Sequence, residues 1–192
     1  MRHMINTPTL AAASVLVAAA AFHLATSEDI TFGLLEGLIS SSPVPTSALD
    51  PCPPKSMNCI RTTWTAPVET TPSQAKAQVQ AVFRAYPQEG QAGVDKGGWG
   101  VATGTLEEGK FRIEYQSGKG GFFSRLLNGG KPFIDDVLVE IVHGHDPIVA
   151  EIRSSSRMGV SDMGVNQKRL QYLARQIQEK GWRAPPPEYP KN

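Results

Sequence analysis

The chain has 192 residues, a formal net charge of +1, and 40% hydrophobic against 19% charged residues. That length suits one compact domain with extensions, and the balance of apolar and charged residues excludes a wholly disordered chain. Neither the net charge nor the sequence offers the clustered cationic stripe that a nucleic-acid binder needs to release counterions, so nucleic acid is excluded as a partner.

The first segment reads MRHMINTPTLAAASVLVAAAAFHLATSED. Arg2 precedes an Ala-rich apolar run from Leu10 to Leu24, and Glu28 and Asp29 follow it. A positive start, an apolar middle and a polar flank predict an export signal or a short membrane anchor over residues 1–27. Ala19-Ala20-Ala21 offers a small-residue cleavage site. The run falls short of the roughly 20 apolar residues that a spanning helix requires, and cleavage and retention both stay open. Residues 28–58 read as an apolar and Pro-rich arm. In it Ile30, Leu34, Leu35 and Leu38 share one face at helical spacing, weakened by Gly33 and Gly37. They are the candidate contact for a partner or a membrane surface; packing on the chain's own domain is the alternative. Cys52 and Cys59 close the arm in PCPPKSMNC. In an exported chain that spacing predicts a small disulfide loop, with free thiols as the alternative. Two thiols with no His or Cys nearby in sequence make a poor zinc site, and no metal or cofactor is expected.

The globular domain is expected over residues 59–182. Thr71 reads as an N-cap with Pro72 at the first helical position. Ala75, Val79, Val82, Phe83 and Tyr86 then recur at three- and four-residue steps until Pro87. Gly97–Thr105 predicts a strand, Glu107-Glu108-Gly109 a turn, and Lys110–Tyr115 a second strand in which Phe111, Ile113 and Tyr115 alternate. Gly118–Gly130 reads as a loop with an apolar centre. Phe133–Val142, apolar on both faces, predicts a central strand. After the Gly144-His145-Asp146-Pro147 turn, Ile148–Ser154 forms the next strand. A final helix over Val165–Lys180 carries the stripe Leu170, Leu173 and Ile177 and stops at Gly181. Residues 183–192 read as an extended Pro-rich tail. The order helix, four strands, helix predicts an α+β two-layer domain, with a mostly antiparallel four-stranded sheet and two helices on one face.

The densest run of small and charged residues is RSSSRMGVSDMGVNQKRLQYL, Arg153 to Leu173. Arg153, Ser155 and Arg157 alternate along a strand end, which puts both arginines on one side. Asp162 stands where a carboxylate can cap the last helix, and Asn166 and Arg169 fall in its first turns. Asp135 and Asp136 begin the neighbouring strand, within reach of an arginine. With PCPPKSMNCI and FIDDVLVEI, this run resembles the bacterial and plastid family called domain of unknown function 1499. The resemblance spans about Cys52 to Trp182. It implies a small domain, often behind a membrane or export segment, and brings no established activity, cofactor or catalytic residue. Because members occur in plastids, it also implies a subunit of a photosynthetic membrane complex as one version of the function.

Three readings of the run follow. In the architectural one, Arg157 pairs with Asp162, serines satisfy turn amides and Asn166 ties helix to sheet. In the binding one, Arg153, Arg157 and Arg169 hold a phosphate or carboxylate. In the catalytic one, a serine needs a base, yet no histidine follows the run; His143 and His145 precede it as exposed turn residues. Asp135 and Asp136, adjacent in a strand, point to opposite faces and make no carboxylate pair. Trp64, Trp99 and Trp182 read as core or rim aromatics. No catalytic residue is assigned. The expected function is a non-catalytic accessory or interaction protein, membrane-associated on the extracytoplasmic side in a periplasm or thylakoid lumen and bound to a membrane-protein complex. A small-ligand or anion-binding domain and an uncharacterised hydrolase are the alternatives.

Overall fold

Among the described residues, alternation of apolar and polar residues builds five strands, and two amphipathic helices cover one face of the sheet that the strands form. The computed structural model describes residues 49–116, 129–142, 144 and 146–191. The expected export segment, the partner contacts Ile30, Leu34, Leu35 and Leu38, most of the Gly118–Gly130 loop, and His143 and His145 lie outside the described residues. The elements are β1 (Cys59–Thr65), α1 (Pro72–Arg84), β2 (Trp99–Thr105), β3 (Lys110–Gln116), β4 (Ile134–Val142), β5 (Val149–Ser156) and α2 (Val165–Gln178). The sheet order is β1-β5-β4-β3-β2, and every neighbouring pair is antiparallel.

The sheet therefore has five strands where the sequence predicts four. The additional strand, β1, has the residues CIRTTWT. Ile60, Thr62 and Trp64 point to the helices while Arg61 and Thr63 point away, and the strand pairs with β5 from Cys59↔Ser155 to Thr65↔Val149. Its two β-branched threonines and its tryptophan suit a pleated, half-buried surface.

α1 starts where Thr71 and Pro72 predict. Thr71 Oγ1 accepts from the Gln74 amide at 3.2 Å, and the Gln74 side chain accepts from the Thr71 amide at 2.9 Å. This reciprocal capping box satisfies two otherwise unpaired donors. The helix buries Ala75, Val79, Val82 and Phe83. α2 buries Leu170, Leu173, Ala174 and Ile177. Both stripes join one core with Ile60, Trp64, Phe111, Ile113, Val137, Val139 and Ile152. Each fully buried aliphatic side chain contributes about 1.5–3 kcal/mol, so Leu173→Ala is a change expected to cost about 2–5 kcal/mol.

The tail after α2 is extended but not free. Trp182, Ala184 and Pro187 are buried, Arg183 pairs with Thr65 at the edge of β1, and Gln167 Nε2 donates to the Pro187 carbonyl at 3.0 Å. The predicted disulfide is present: Cys52 and Cys59 are bonded, with Cα atoms 5.6 Å apart. Leu49, ahead of it, is buried beside Thr103, Lys110 and Leu138 on the sheet face opposite the helices. Among the described residues no helix is long and apolar enough to cross a membrane.

Candidate functional site

Strand alternation divides the Arg153–Arg169 run between the two faces of the sheet. Ser154 and Ser156 face the helices; Arg153, Ser155 and Arg157 face the other way. Asp135 and Asp136 on β4 divide likewise, as their adjacency predicts.

On the helix side Arg169 is fully buried and is the centre of the cluster. It donates from Nε to Asp95 Oδ2 at 2.8 Å, from Nη2 to Asp95 Oδ1 and to Asp135 Oδ2 at 2.6 Å, and from Nη1 to Asn166 Oδ1 at 2.6 Å and Ser154 Oγ at 3.1 Å. Its guanidinium carbon lies 4.5 Å from the centroid of the Tyr115 ring, a cation–π contact. Burial works against the charge of Arg169, but the bonds and charges of Asp95 and Asp135 outweigh it and hold the pKa above the ordinary arginine value. Tyr86 donates to Asp95 Oδ2 at 2.6 Å. Burial, reinforced by the charge of Asp95, pushes the Tyr86 hydroxyl well above its ordinary range.

Asn166 links this cluster to the turn. It accepts from Ser154 Oγ, and its amide nitrogen donates to Ser156 Oγ at 3.2 Å and to Asp162 Oδ2 at 2.5 Å. Asp162 does cap α2, from two residues ahead of the N-cap. Gly164 occupies that position at φ 81°, a left-handed conformation that suits glycine, and offers no side chain. Asp162 Oδ1 accepts from the Gly164 amide at 2.8 Å and Oδ2 from the Asn166 amide at 3.1 Å. The Tyr189 hydroxyl of the tail also donates to Asp162.

The expected Arg157–Asp162 pair does not form. Arg157 is on the open face, where Nε and Nη2 hold Asp136 in a two-point contact at 2.8 Å and Nη2 also reaches Glu114. The strand register explains the choice: Asp136 lies opposite Ser155 on β5 and opposite Glu114 on β3, so Arg157 leaves the strand beside both. Those bonds raise its pKa above the ordinary value, that with Asp136 most. Arg153 lies one register step further in, opposite Arg61. It donates from Nη1 to Ser155 Oγ at 3.1 Å, and its buried Nε has no acceptor among the described residues.

The candidates thus form two groups. Asp135, Asp162, Asn166 and Arg169 belong to one buried network; Asp136, Arg153, Ser155 and Arg157 belong to the open face. Sequence reasoning missed Asp95, Tyr86, Glu114 and Tyr189. Asp95 is in a Gly- and Lys-containing turn, 74 residues from its partner Arg169, and nothing local marks it as buried. Among the described residues a cleft of about 510 Å3 is lined by Leu49, Thr103, Arg112 and Leu138; neither Arg153 nor Arg169 lines it, although Arg153 lies opposite Leu138 in the strand register. Among the described residues no group of His, Cys, Asp and Glu is arranged to hold a metal ion.

Fold and site define a class: a two-layer α+β domain whose β5–α2 turn is fastened from within by a buried arginine. The sequence pattern of the family described as Protein of unknown function (DUF1499) matches residues 46–177, and the chain belongs to that family. It matches no curated protein and no solved structure.

Proposed function

We propose that this chain is a non-catalytic accessory or interaction protein at the extracytoplasmic face of a membrane, in a periplasm or thylakoid lumen, bound to a membrane-protein complex. A photosynthetic membrane complex is the version suggested by the occurrence of the family in plastids. The observation that carries the reading is the direction of the polar side chains in the β5–α2 turn. Arg169, Ser154, Asn166 and Asp135 are buried and bonded to one another. A network satisfied in this way rigidifies a fold and leaves few groups for a substrate. The Cys52–Cys59 bond fits an oxidising, exported compartment, as does the apolar run behind Arg2.

Isolation from native membranes tests the proposal. The chain should co-purify with defined membrane proteins, and a reporter fused to its C-terminus should resist protease added on the cytoplasmic or stromal side. Digestion of the reporter in intact vesicles, or recovery of the chain alone, would remove the reading. An anion-binding domain is the second reading, favoured by Arg153, which lies beside Ser155 and whose Nε has no acceptor among the described residues. Calorimetric titration with inorganic phosphate that gives saturable heat in the wild type and none in Arg153→Gln would put it first.

A further inference from the structure

The turn that faces its polar groups inward faces its apolar groups outward. Among the large hydrophobic residues, Val160 and Met163 are each 91% exposed, Met158 is 49% exposed, and Met57 of the disulfide loop is 60% exposed. The two segments that carry them are joined: Met57 bridges to Ser161, the Asp162 amide donates to the Met57 carbonyl at 3.2 Å, and Asn58 Nδ2 donates to the Gly159 carbonyl at 2.5 Å. The amides of Met163, Gly164 and Val165 are also bonded within the turn, to Ser161 and Asp162. The result is a tip with four exposed apolar side chains, whose two segments are tied together and whose backbone is fixed by bonds at Asp162, Met163, Gly164 and Val165.

One-sided charge around the tip favours a lipid surface over a protein groove as its occupant. Segments 53–58 and 157–168 contain Lys55, Arg157 and Lys168 and a single acid, Asp162, whose oxygens are bonded within the turn and to Tyr189. Arg157 is paired with Asp136 and Glu114, and Glu188 in the adjoining tail with Lys191, which leaves the exposed Lys55 and Lys168 as a basic rim. Basic residues around a small apolar surface are the pattern of an interfacial contact with anionic lipid.

We infer that Met57, Met158, Val160 and Met163 form a tip that enters the headgroup region of an anionic bilayer, with Lys55 and Lys168 on the lipid phosphates. The inference rests on the membrane-face reading above and adds the contact surface and the orientation of the domain.

The test uses the full chain carrying Val160→Cys, labelled with an environment-sensitive fluorophore while the native cysteines stay in their disulfide. The control label is at Val68→Cys, also exposed, beyond the other end of β1. With vesicles of phosphatidylcholine and phosphatidylglycerol in equal parts, the label at 160 should shift to the blue and lose accessibility to an aqueous quencher several-fold, while the label at 68 should not change. The shift should be much smaller with phosphatidylcholine alone, and Lys55→Gln with Lys168→Gln should reduce it. A label at 160 that stays in water, or labels at 160 and 68 that respond alike, would overturn the inference. So would a label at 160 shielded only in native membranes and not on lipid, since the occupant would then be a protein. In any of these cases co-purification with membrane proteins would leave the accessory reading standing.

Discussion

Arg169→Met removes the cation at the centre of the buried network and keeps most of its volume. The substitution leaves two carboxylates, Asp95 at 1% and Asp135 at 11% side-chain exposure, without their counter-ion. Breaking one buried ion pair from one side costs about 3–5 kcal/mol, because the surviving charge stays desolvated. With two acids stranded, the upper half of that range is expected. For a domain with a total stability of about 5–15 kcal/mol this is a large fraction. A loss of about 4 kcal/mol at a urea slope of roughly 2 kcal/mol/M lowers the denaturation midpoint by about 2 M. The assay is urea unfolding followed by far-ultraviolet circular dichroism and tryptophan fluorescence, with coincident transitions as the check on two-state behaviour. Adding Asp95→Asn and Asp135→Asn to Arg169→Met should recover much of the loss by removing the stranded charges. A loss below about 1 kcal/mol for Arg169→Met, or no recovery in the triple variant, would show that the network is not the fastening argued here.

Asp162→Ala should cost about 1–3 kcal/mol in the same assay, since it takes the acceptor from two backbone amides, and Tyr189→Phe should cost about 1 kcal/mol by loosening only the tail; an unchanged midpoint for Asp162→Ala would refute the capping role. Replacing Cys52 and Cys59 by alanine should cost about 2–3 kcal/mol on the chain-entropy account, and intact-mass analysis of unreduced protein should find no alkylatable thiol. Burial, helped by the neighbouring carboxylates of Asp95 and Asp162 respectively, raises Tyr86 and Tyr189, and burial raises Tyr115, above the ordinary tyrosine pKa. Above about pH 10 the unfolded chain therefore releases protons that the folded chain retains, so these groups leave stability intact below about pH 10 and lower it above, by up to about 1.4 kcal/mol per pH unit for each tyrosine. Alkaline titration of tyrosinate absorbance should show these groups ionising together with unfolding; ionisation at pH 10 in a chain with an intact circular dichroism spectrum would contradict it.

What was legible in the sequence was local. Thr71 and Pro72 mark the start of α1 because an N-cap and a proline at the first helical position are adjacent in sequence, and Phe111, Ile113 and Tyr115 mark β3 because alternation needs no partner strand to be read. β1 was hidden by its neighbourhood and by its composition. It follows a proline-rich stretch, and Thr62, one of its three inward residues, is polar. The site was legible as a set of residues but not as pairs. Arg157 and Asp162 are close in sequence, and their opposite charges invite pairing, yet strand direction sends Arg157 to the open face while the turn brings Asp162 back under α2. Asp95 gave no signal, because its burial depends on α2 packing across the sheet, 74 residues later.

Met163 separates the demands of folding from those of function in this turn. Its φ is 55°, in the left-handed region that costs a side-chain-bearing residue about 1–2 kcal/mol relative to glycine. A buried methionine could offset that cost by packing, but Met163 is 91% exposed. Gly159 and Gly164, on either side, adopt similar angles without penalty, so the turn already uses glycine where only geometry is at stake. Folding alone would favour glycine at position 163 as well. Lys55, Glu69, Ala92 and Asp95 also take positive φ, so the angle at Met163 is not singular; what sets Met163 apart is a large apolar side chain left in water, and the same turn holds Val160 outward with equal exposure. The buried network and the exposed tip are then two sides of one device: Arg169, Asn166 and Asp162 fix the backbone from within, so that the apolar side chains need not be ordered again when they meet their surface.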